Sequence, residues 1–281
     1  MEVHEALAKI AAEAETGKMV FPTSAEMALR VQRALDDPDC SADRLGKLVQ
    51  AEPLLAARVV AMANSVVYNR SGKAILDVHN AVARIGFKTL RILATSVAVG
   101  QLEGMSKMPA HRQLAARLWE HTAHVAALAR VVAKHVTHQD PEEAFFAGIV
   151  HEVGGFYLIS RADAHPGLLE GEHGSLTDWN GDWETKVGRA VLKVLSVPEH
   201  VVRGIEGLWD GYLAMPPASL GDTLLLADQL ATVESPLSIL AGYGREGMTP
   251  SIDVSLDDET LSGILAESAE EVESLTAALR S

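Results

Sequence analysis

A single cysteine, Cys40, stands in 281 residues, so no disulfide can form within the chain. Aromatics are almost as scarce, with four Trp, four Tyr and five Phe making up 5% of the sequence. A core with so few rings is built mainly from Ala, Leu and Val, and the close approach that Ala permits favours helices. Basic residues are in the minority, 24 Lys and Arg against 38 Asp and Glu, which leaves a formal charge of −14. That sign excludes a nucleic-acid binder that works by bulk electrostatics. Long hydrophobic runs are missing too. The longest uncharged apolar stretches, such as residues 92–102, fall well short of the roughly 18 residues that a membrane span needs. The start, Met1-Glu2-Val3-His4, lacks the basic-then-apolar order of a signal peptide. A reducing, cytoplasmic setting away from membranes is the expectation.

Hydrophobic residues at 48% and charged residues at 22% give the balance of a folded globular protein. Half of the negative charge is local, because residues 251–281 hold eight acids against Arg280 alone. Helical signals run through the remainder. Thr23-Ser24-Ala25-Glu26 reads as a capping box, followed by Met27, Val31 and Leu35 on one face and a stop at Asp36-Asp37-Pro38. Ser41 caps a second helix with Leu45, Leu48 and Val49 inward. Glu52-Pro53 opens a third, with Leu55, Val59 and Met62 inward. Asp77 caps a fourth; Gly86 breaks its pattern and residues 87–102 resume it.

Residues 103–112 read as a boundary between two helical lobes. Beyond it Leu114, Leu118, His121, Val125, Leu128 and Val132 form one inward stripe. Asp140-Pro141 opens the next helix, which runs through an apolar segment into His151-Glu152. Residues 160–183, rich in Gly and Asp, form a long connection and a candidate flap. Helical pattern returns at 187–195, 201–208 and 220–230. Residues 237–251 read as loop. Leu256, Leu261, Leu265, Val272, Leu275 and Leu279 mark one final acidic amphipathic helix, which is expected to fold back on the body to cover its apolar stripe.

Four residues carry the chemical interest. His121 lies on an apolar stripe, where a histidine must be desolvated. His151 and Glu152 end a very apolar helix, and Asp228 is an acid inside the run Leu224-Leu225-Leu226-Ala227-Asp228. Imidazole nitrogen and carboxylate oxygen both suit divalent metals. A hydrogen-bonded core role is the plainer account of each taken singly. His124, one turn from His121, and the pair His135 and His138 have zinc-like spacing that chance also produces; the latter two suit a helix end. Arg84, Lys88 and Arg91, spaced 4 and 3 apart, could hold an anion or an acidic partner, or form a solvated face. Cys40 sits in a turn with no evident basic neighbour. The nucleophile elbow, the Walker loop and the dinucleotide fingerprint are all missing.

The block from Ala51-Glu52-Pro53-Leu54-Leu55 through Met62-Ala63-Asn64-Ser65 resembles the HDOD (HD-related output) domain of bacterial signalling proteins. So do Phe21-Pro22, Asn80-Ala81-Val82-Ala83-Arg84-Ile85-Gly86, Leu118-Trp119-Glu120-His121-Thr122 and Gly148-Ile149-Val150-His151-Glu152. The resemblance spans roughly residues 20–230. It implies an all-α, two-lobed architecture beside the HD-superfamily metal phosphohydrolases: an N-terminal lobe over 1–107, an HD-like lobe over 108–235, and a C-terminal acidic extension over 236–281. It places His121, His151 and Asp228 at the metal positions, with Glu152 where relatives have Asp. Glu184-x-x-x-Gly188 stands where relatives often have His-x-x-x-Gly. Leu208-Trp209 replaces a His-His pair, and Asp210-Gly211-Tyr212 does not restore the signature of the cyclic-di-GMP phosphodiesterases. The first reading is therefore a non-catalytic module. It works through contacts with signalling proteins of a two-component or cyclic-dinucleotide pathway, carries a degenerate metal site, and requires no cofactor, though a divalent metal fits the motif. The second is a metal-dependent phosphohydrolase with a reduced His121, His151, Glu152 and Asp228 site.

Overall fold

The computed structural model describes residues 3–16, 23–169, 176, 183–242 and 258–280, and for 23–28, 103 and 258–260 it describes the backbone alone. Among these residues every regular element is a helix. The N-terminal half holds α1 (Val3–Glu15), α2 (Thr23–Leu35), α3 (Ala42–Gln50), α4 (Pro53–Asn64) and α5 (Val78–Glu103). The second half holds α6 (Pro109–Val132), α7 (Pro141–Val150), α8 (Val153–Ala162), α9 (Glu184–Val194), α10 (Glu199–Asp210) and α11 (Leu220–Leu230). The C-terminal part adds α12 (Pro236–Leu240), α13 (Asp258–Glu267) and α14 (Ala269–Arg280). None of the described helices is long and apolar enough to cross a membrane.

The helix starts follow the local chemistry of the sequence. The Ser41 hydroxyl accepts from the Arg44 N–H at 3.2 Å, and Asp77 Oδ1 accepts from the Asn80 N–H at 2.9 Å. Asp140 Oδ1 takes the N–H groups of Glu142 and Glu143 at 2.8 and 3.1 Å. Proline opens α4, α6 and α7, where its missing N–H costs nothing. Helix α2 begins at Thr23 as expected, while the capping-box side chains there lie outside the described residues. Gly86 has φ +77° inside α5, a left-handed backbone that divides the helix into two segments.

Helix α5 gathers α2, α3 and α4 around it, and α6 gathers α7, α11 and α14. Most of the described buried apolar residues form one core running from Ala6 to Leu279, with Val132 and Leu226 in a small separate cluster. Helix α1, which carries no strong start signal, lies against α9 through a face of Ala6, Leu7, Ile10 and Ala14. Two readings are corrected. The C-terminal amphipathic segment is two helices meeting at Ser268, not one, although α14 does fold back onto α6 and α4. The segment after 236 opens with the short helix α12 instead of a loop, because Pro236 starts a turn. Half of the candidate flap, residues 170–175 and 177–182, lies outside the described residues, and α8 extends into its start as far as Ala162.

The Ala-Asn-Ser block has a structural role. Asn64 Oδ1 accepts from the Ile75 N–H at 2.8 Å and its Nδ2 donates to the Ile75 carbonyl at 2.7 Å. This two-point hook pins the loop between α4 and α5. Arg84 braces the same loop by donating to the carbonyls of Ala63 and Lys73, both at 3.1 Å.

The connection between α5 and α6 is held in a similar way. Asp163, at the end of α8, accepts from the Ser106 hydroxyl and the Lys107 N–H, each at 2.6 Å, and from His111 Nδ1–H at 2.7 Å. The Ser106 and Lys107 bonds are the main reason its carboxyl is held down at about 2. A depressed folded-state value contributes stability that is present above the unfolded value near 4 and lost as pH falls toward 2. With the carboxylate partly solvated, about 1–2 kcal/mol is at stake. Urea midpoints measured from pH 5 to pH 2.5 should fall more steeply for the wild type than for Asp163→Asn; parallel curves would refute the assignment.

Candidate metal centre

Three helices bring the ionisable residues together. Helices α6 and α7 cross where Gly148 faces Ala126, so closely that a Cβ on Gly148 would lie 2.4 Å from Ala126 Cα. That contact sets His121, on α6, against His151, just past α7, with ring centroids 5.5 Å apart. Helix α11 supplies Asp228, whose Oδ1 is 3.4 Å from His121 Nε2. One donor atom from each of His121, His151 and Asp228 lies within 4.8 Å of the others.

Both histidines are oriented from behind. His121 Nδ1 lies 2.8 Å from the Val233 carbonyl, and His151 Nδ1 lies 2.7 Å from the Gly148 carbonyl. A carbonyl can only accept, so each Nδ1 carries the proton and each neutral ring keeps its lone pair on Nε2. Both Nε2 atoms are buried and make no hydrogen bond among the described residues. Burial lowers the pKa of both rings, and for His121 the neighbouring His151 adds to it. Neutral imidazoles with backbone-bound Nδ1–H groups and Nε2 atoms facing a carboxylate are what a divalent cation requires. The residues fit such an ion.

Glu152 is not in this three-donor group. It is buried, and desolvation raises its carboxyl pKa. Its Oε2 packs 3.2 Å from the position of a Cβ on Gly155, so the side chain occupies space that only glycine leaves open. Glu184, read from the sequence as a lost histidine, instead joins the electrostatics of the site. Desolvation and then the charges of Glu152 and Asp228 push it up to about 8. It comes close because α8 and α9 cross at paired glycines, where a Cβ on Gly154 would stand 3.1 Å from Gly188 Cα. Trp209 covers that crossing, its ring 2.7 Å from a Cβ on Gly188.

The other candidates are placed elsewhere. His124 is half-buried with Nδ1 3.3 Å from the Thr232 hydroxyl, and is not a member of the donor group. His135 and His138 sit in and after a π-type turn extending α6, and His138 closes it at φ +53°. The Cys40 thiol faces the Ser41 carbonyl at 3.8 Å. Gly211 ends α10 with φ +68° and leaves Tyr212 exposed, so Asp210-Gly211-Tyr212 is a helix stop. Arg84, Lys88 and Arg91 stand on a helix that is broken between them and have partners within the fold. The break at Gly86 separates Arg84 from the other two. Lys88 pairs with Asp140 at 2.6 Å and Arg91 with Asp36 at 2.7 Å. All three are engaged within the fold.

The fold is thus an all-helical, two-lobed bundle with a His-His-Asp cluster whose histidines are buried and whose aspartate is partly exposed. The HDOD domain model matches residues 21–206, and the chain belongs to that family. The solved structures agree on the fold. A proposed metal-dependent phosphohydrolase from Shewanella amazonensis SB2B is 24% identical with a TM-score of 0.72, covering 99% of each chain. An HDOD domain protein of unknown function from Geobacter sulfurreducens is 23% identical with a TM-score of 0.60, covering 99% of this chain and 98% of its own. A signal transduction protein, so assigned, from Marinobacter aquaeolei VT8 is 20% identical with a TM-score of 0.61, covering 99% of this chain and 66% of its own. An uncharacterized protein of Treponema pallidum (strain Nichols) is 24% identical over 170 residues, 60% of this chain and 31% of that protein. The chain thus matches about a third of that relative's length.

Proposed function

We propose that this chain is a cytoplasmic signal-transduction module that acts through protein contacts and turns over no substrate. The observation that carries the reading is the size of the donor set. Among the described residues three groups, His121, His151 and Asp228, come within ligating reach of one another. Two-metal phosphoester hydrolysis needs more nitrogen and oxygen ligands than these. The indole of Trp209 packs on Gly188 where, by family resemblance, further histidines belong. We take residues 1–107 and 108–235 as the two lobes and 236–281 as an extension, with α1 lent to the second lobe. By family resemblance we take its partners to be signalling proteins of a two-component or cyclic-dinucleotide pathway, while the net charge of −14 disfavours nucleic acid.

A second reading, a reduced metal-dependent phosphohydrolase, is favoured by the two buried Nε2 atoms that make no hydrogen bond among the described residues. His121, His151 and Asp228 would hold the ion, which supplies Lewis acidity at that point. The chain's own contribution would be to orient both rings through Val233 and Gly148 and to keep them neutral by burial. Purified protein incubated with Mn²⁺ or Mg²⁺ and cyclic dinucleotides or nucleoside phosphates separates the two. The signalling reading expects product formation equal to that of His151→Ala. Turnover that disappears in His151→Ala establishes the enzyme instead.

A further inference from the structure

Helix α14 lies beyond residues 21–206, the span matched by the family's domain. It packs on α4 from the N-terminal half and on α6 from the second half. Val272, Leu275, Ala278 and Leu279 form its buried face, one apolar stripe at helical spacing.

The surface beneath α14 carries polar groups that match it. Arg130, on α6, pairs with Glu271. The Arg130 side chain is only 14% exposed and is braced from behind, with Nε 3.3 Å from Glu142 Oε1. Glu142 in turn accepts from the Tyr68 hydroxyl at 2.8 Å. Both braces belong to the body of the protein, so the guanidinium is positioned with or without α14. Nearby, the Val66 N–H donates to the Ser274 hydroxyl at 3.1 Å, and Arg280 pairs with Glu120 at 3.3 Å. Buried Leu128 adds an apolar floor. An oriented cation and a backbone donor beside an apolar floor are what an amphipathic helix with one well-placed acid requires.

The fit of α14 itself is imperfect. A cavity of about 610 Å³ remains between it and α6. The Thr276 hydroxyl is buried with no hydrogen-bond partner among the described residues, a loss that opposes docking. Half of the chain's net negative charge lies in residues 251–281, so like charge opposes docking as well.

We propose that the groove between α4 and α6 is the docking site for a signalling partner, which supplies one amphipathic helix, and that α14 is the occupant held there until that helix displaces it. The partner helix carries an acid for Arg130, followed by apolar residues one, four and eight positions on, as Glu271 is followed by Val272, Leu275 and Leu279. The existence of such a partner rests on the signalling reading. Peptide binding reports no turnover, so its failure and the failure of that reading are told apart by the hydrolysis test above.

A fluorescein-labelled peptide of residues 268–280, titrated against the full chain, measures access to the groove. In the wild type α14 competes from the same molecule and weakens the apparent affinity. Leu275→Asp in the chain undocks α14 and should raise peptide affinity at least about tenfold. Hydrogen exchange should then quicken in α14 while α6 and α7 stay protected. A peptide carrying Glu271→Arg, which sets a cation against Arg130, should bind the released chain at least about tenfold more weakly. No binding to the folded Leu275→Asp chain at millimolar concentration, equal affinity for the wild-type and released chains, or equal binding of the Glu271→Arg peptide would each overturn the proposal. Should Leu275→Asp fail to fold, Glu271→Arg in the chain, at a partly exposed position, takes its place. It repels Arg130 and should raise affinity for the unaltered peptide at least about threefold. Affinity equal to that of the wild type would then overturn the proposal.

Discussion

Gly148→Ala is expected to destabilise the protein by about 3 kcal/mol and to lower its melting temperature by roughly 6–12 °C. The added Cβ would stand 2.4 Å from Ala126 Cα and 3.0 Å from Ala126 N. Both are backbone atoms in the middle of α6, so no flexible side chain can yield. The helices must part, and parting them moves His151, three residues beyond Gly148, away from His121. Mn²⁺ affinity should therefore fall more than tenfold alongside stability. Gly263→Ala is the control: it lies in α13 with no atom within 4 Å of its Cβ position, and there alanine should be neutral or stabilising by up to about 1 kcal/mol. Equal melting temperatures for the two variants would refute this account of the α6–α7 crossing.

The next largest effect is expected at Asp222. Its carboxylate is buried and accepts from the N–H groups of Ala214, Ala218 and Ser219 and from the Ser219 hydroxyl, at 2.7–3.0 Å. Burial alone would raise its pKa, but these bonds outweigh burial and hold it below the usual carboxylate range. The residue fastens the loop before α11 to the helix that carries Asp228. Asp222→Ala leaves those donors unpaired and should cost about 3 kcal/mol, with Asp222→Asn losing less because an amide oxygen still accepts. Chemical denaturation of the three proteins at pH 7 gives the ranking directly. A loss under about 1 kcal/mol for Asp222→Ala would show that water replaces the network.

How much of this was legible in the chain differs by element. Caps and prolines announce α3, α4, α5 and α7 because the signal is local: Ser41, Pro53, Asp77, and Asp140 with Pro141. Gly86 announces its own break. Helices α1 and α8 were not legible, since α1 begins without a capping signal and α8 follows the apolar α7 after just two residues. Likewise, a continuous apolar pattern through residues 256–279 hides the division at Ser268, which depends on how α13 and α14 dock.

At the site, His121 and His151 stand out as histidines among apolar residues, and Asp228 as an acid among leucines. Their convergence is not written locally. It depends on Gly148 meeting Ala126 across 22 residues of chain. The place of Glu184 depends on Gly154 meeting Gly188, so the sequence shows a missing histidine and not a carboxyl drawn toward Glu152 and Asp228. The surroundings of the basic trio are not written locally either. Spacing puts Arg84, Lys88 and Arg91 on one face, but the partners that claim Lys88 and Arg91, Asp140 and Asp36, lie on other elements.

Counting bound metal tests the central claim most directly. After equilibration with Mn²⁺ and removal of excess, elemental analysis should find one ion per chain in the wild type and none in His151→Ala. Two ions per chain, none at all, or one ion that survives His151→Ala would contradict a three-donor centre too small for two-metal chemistry.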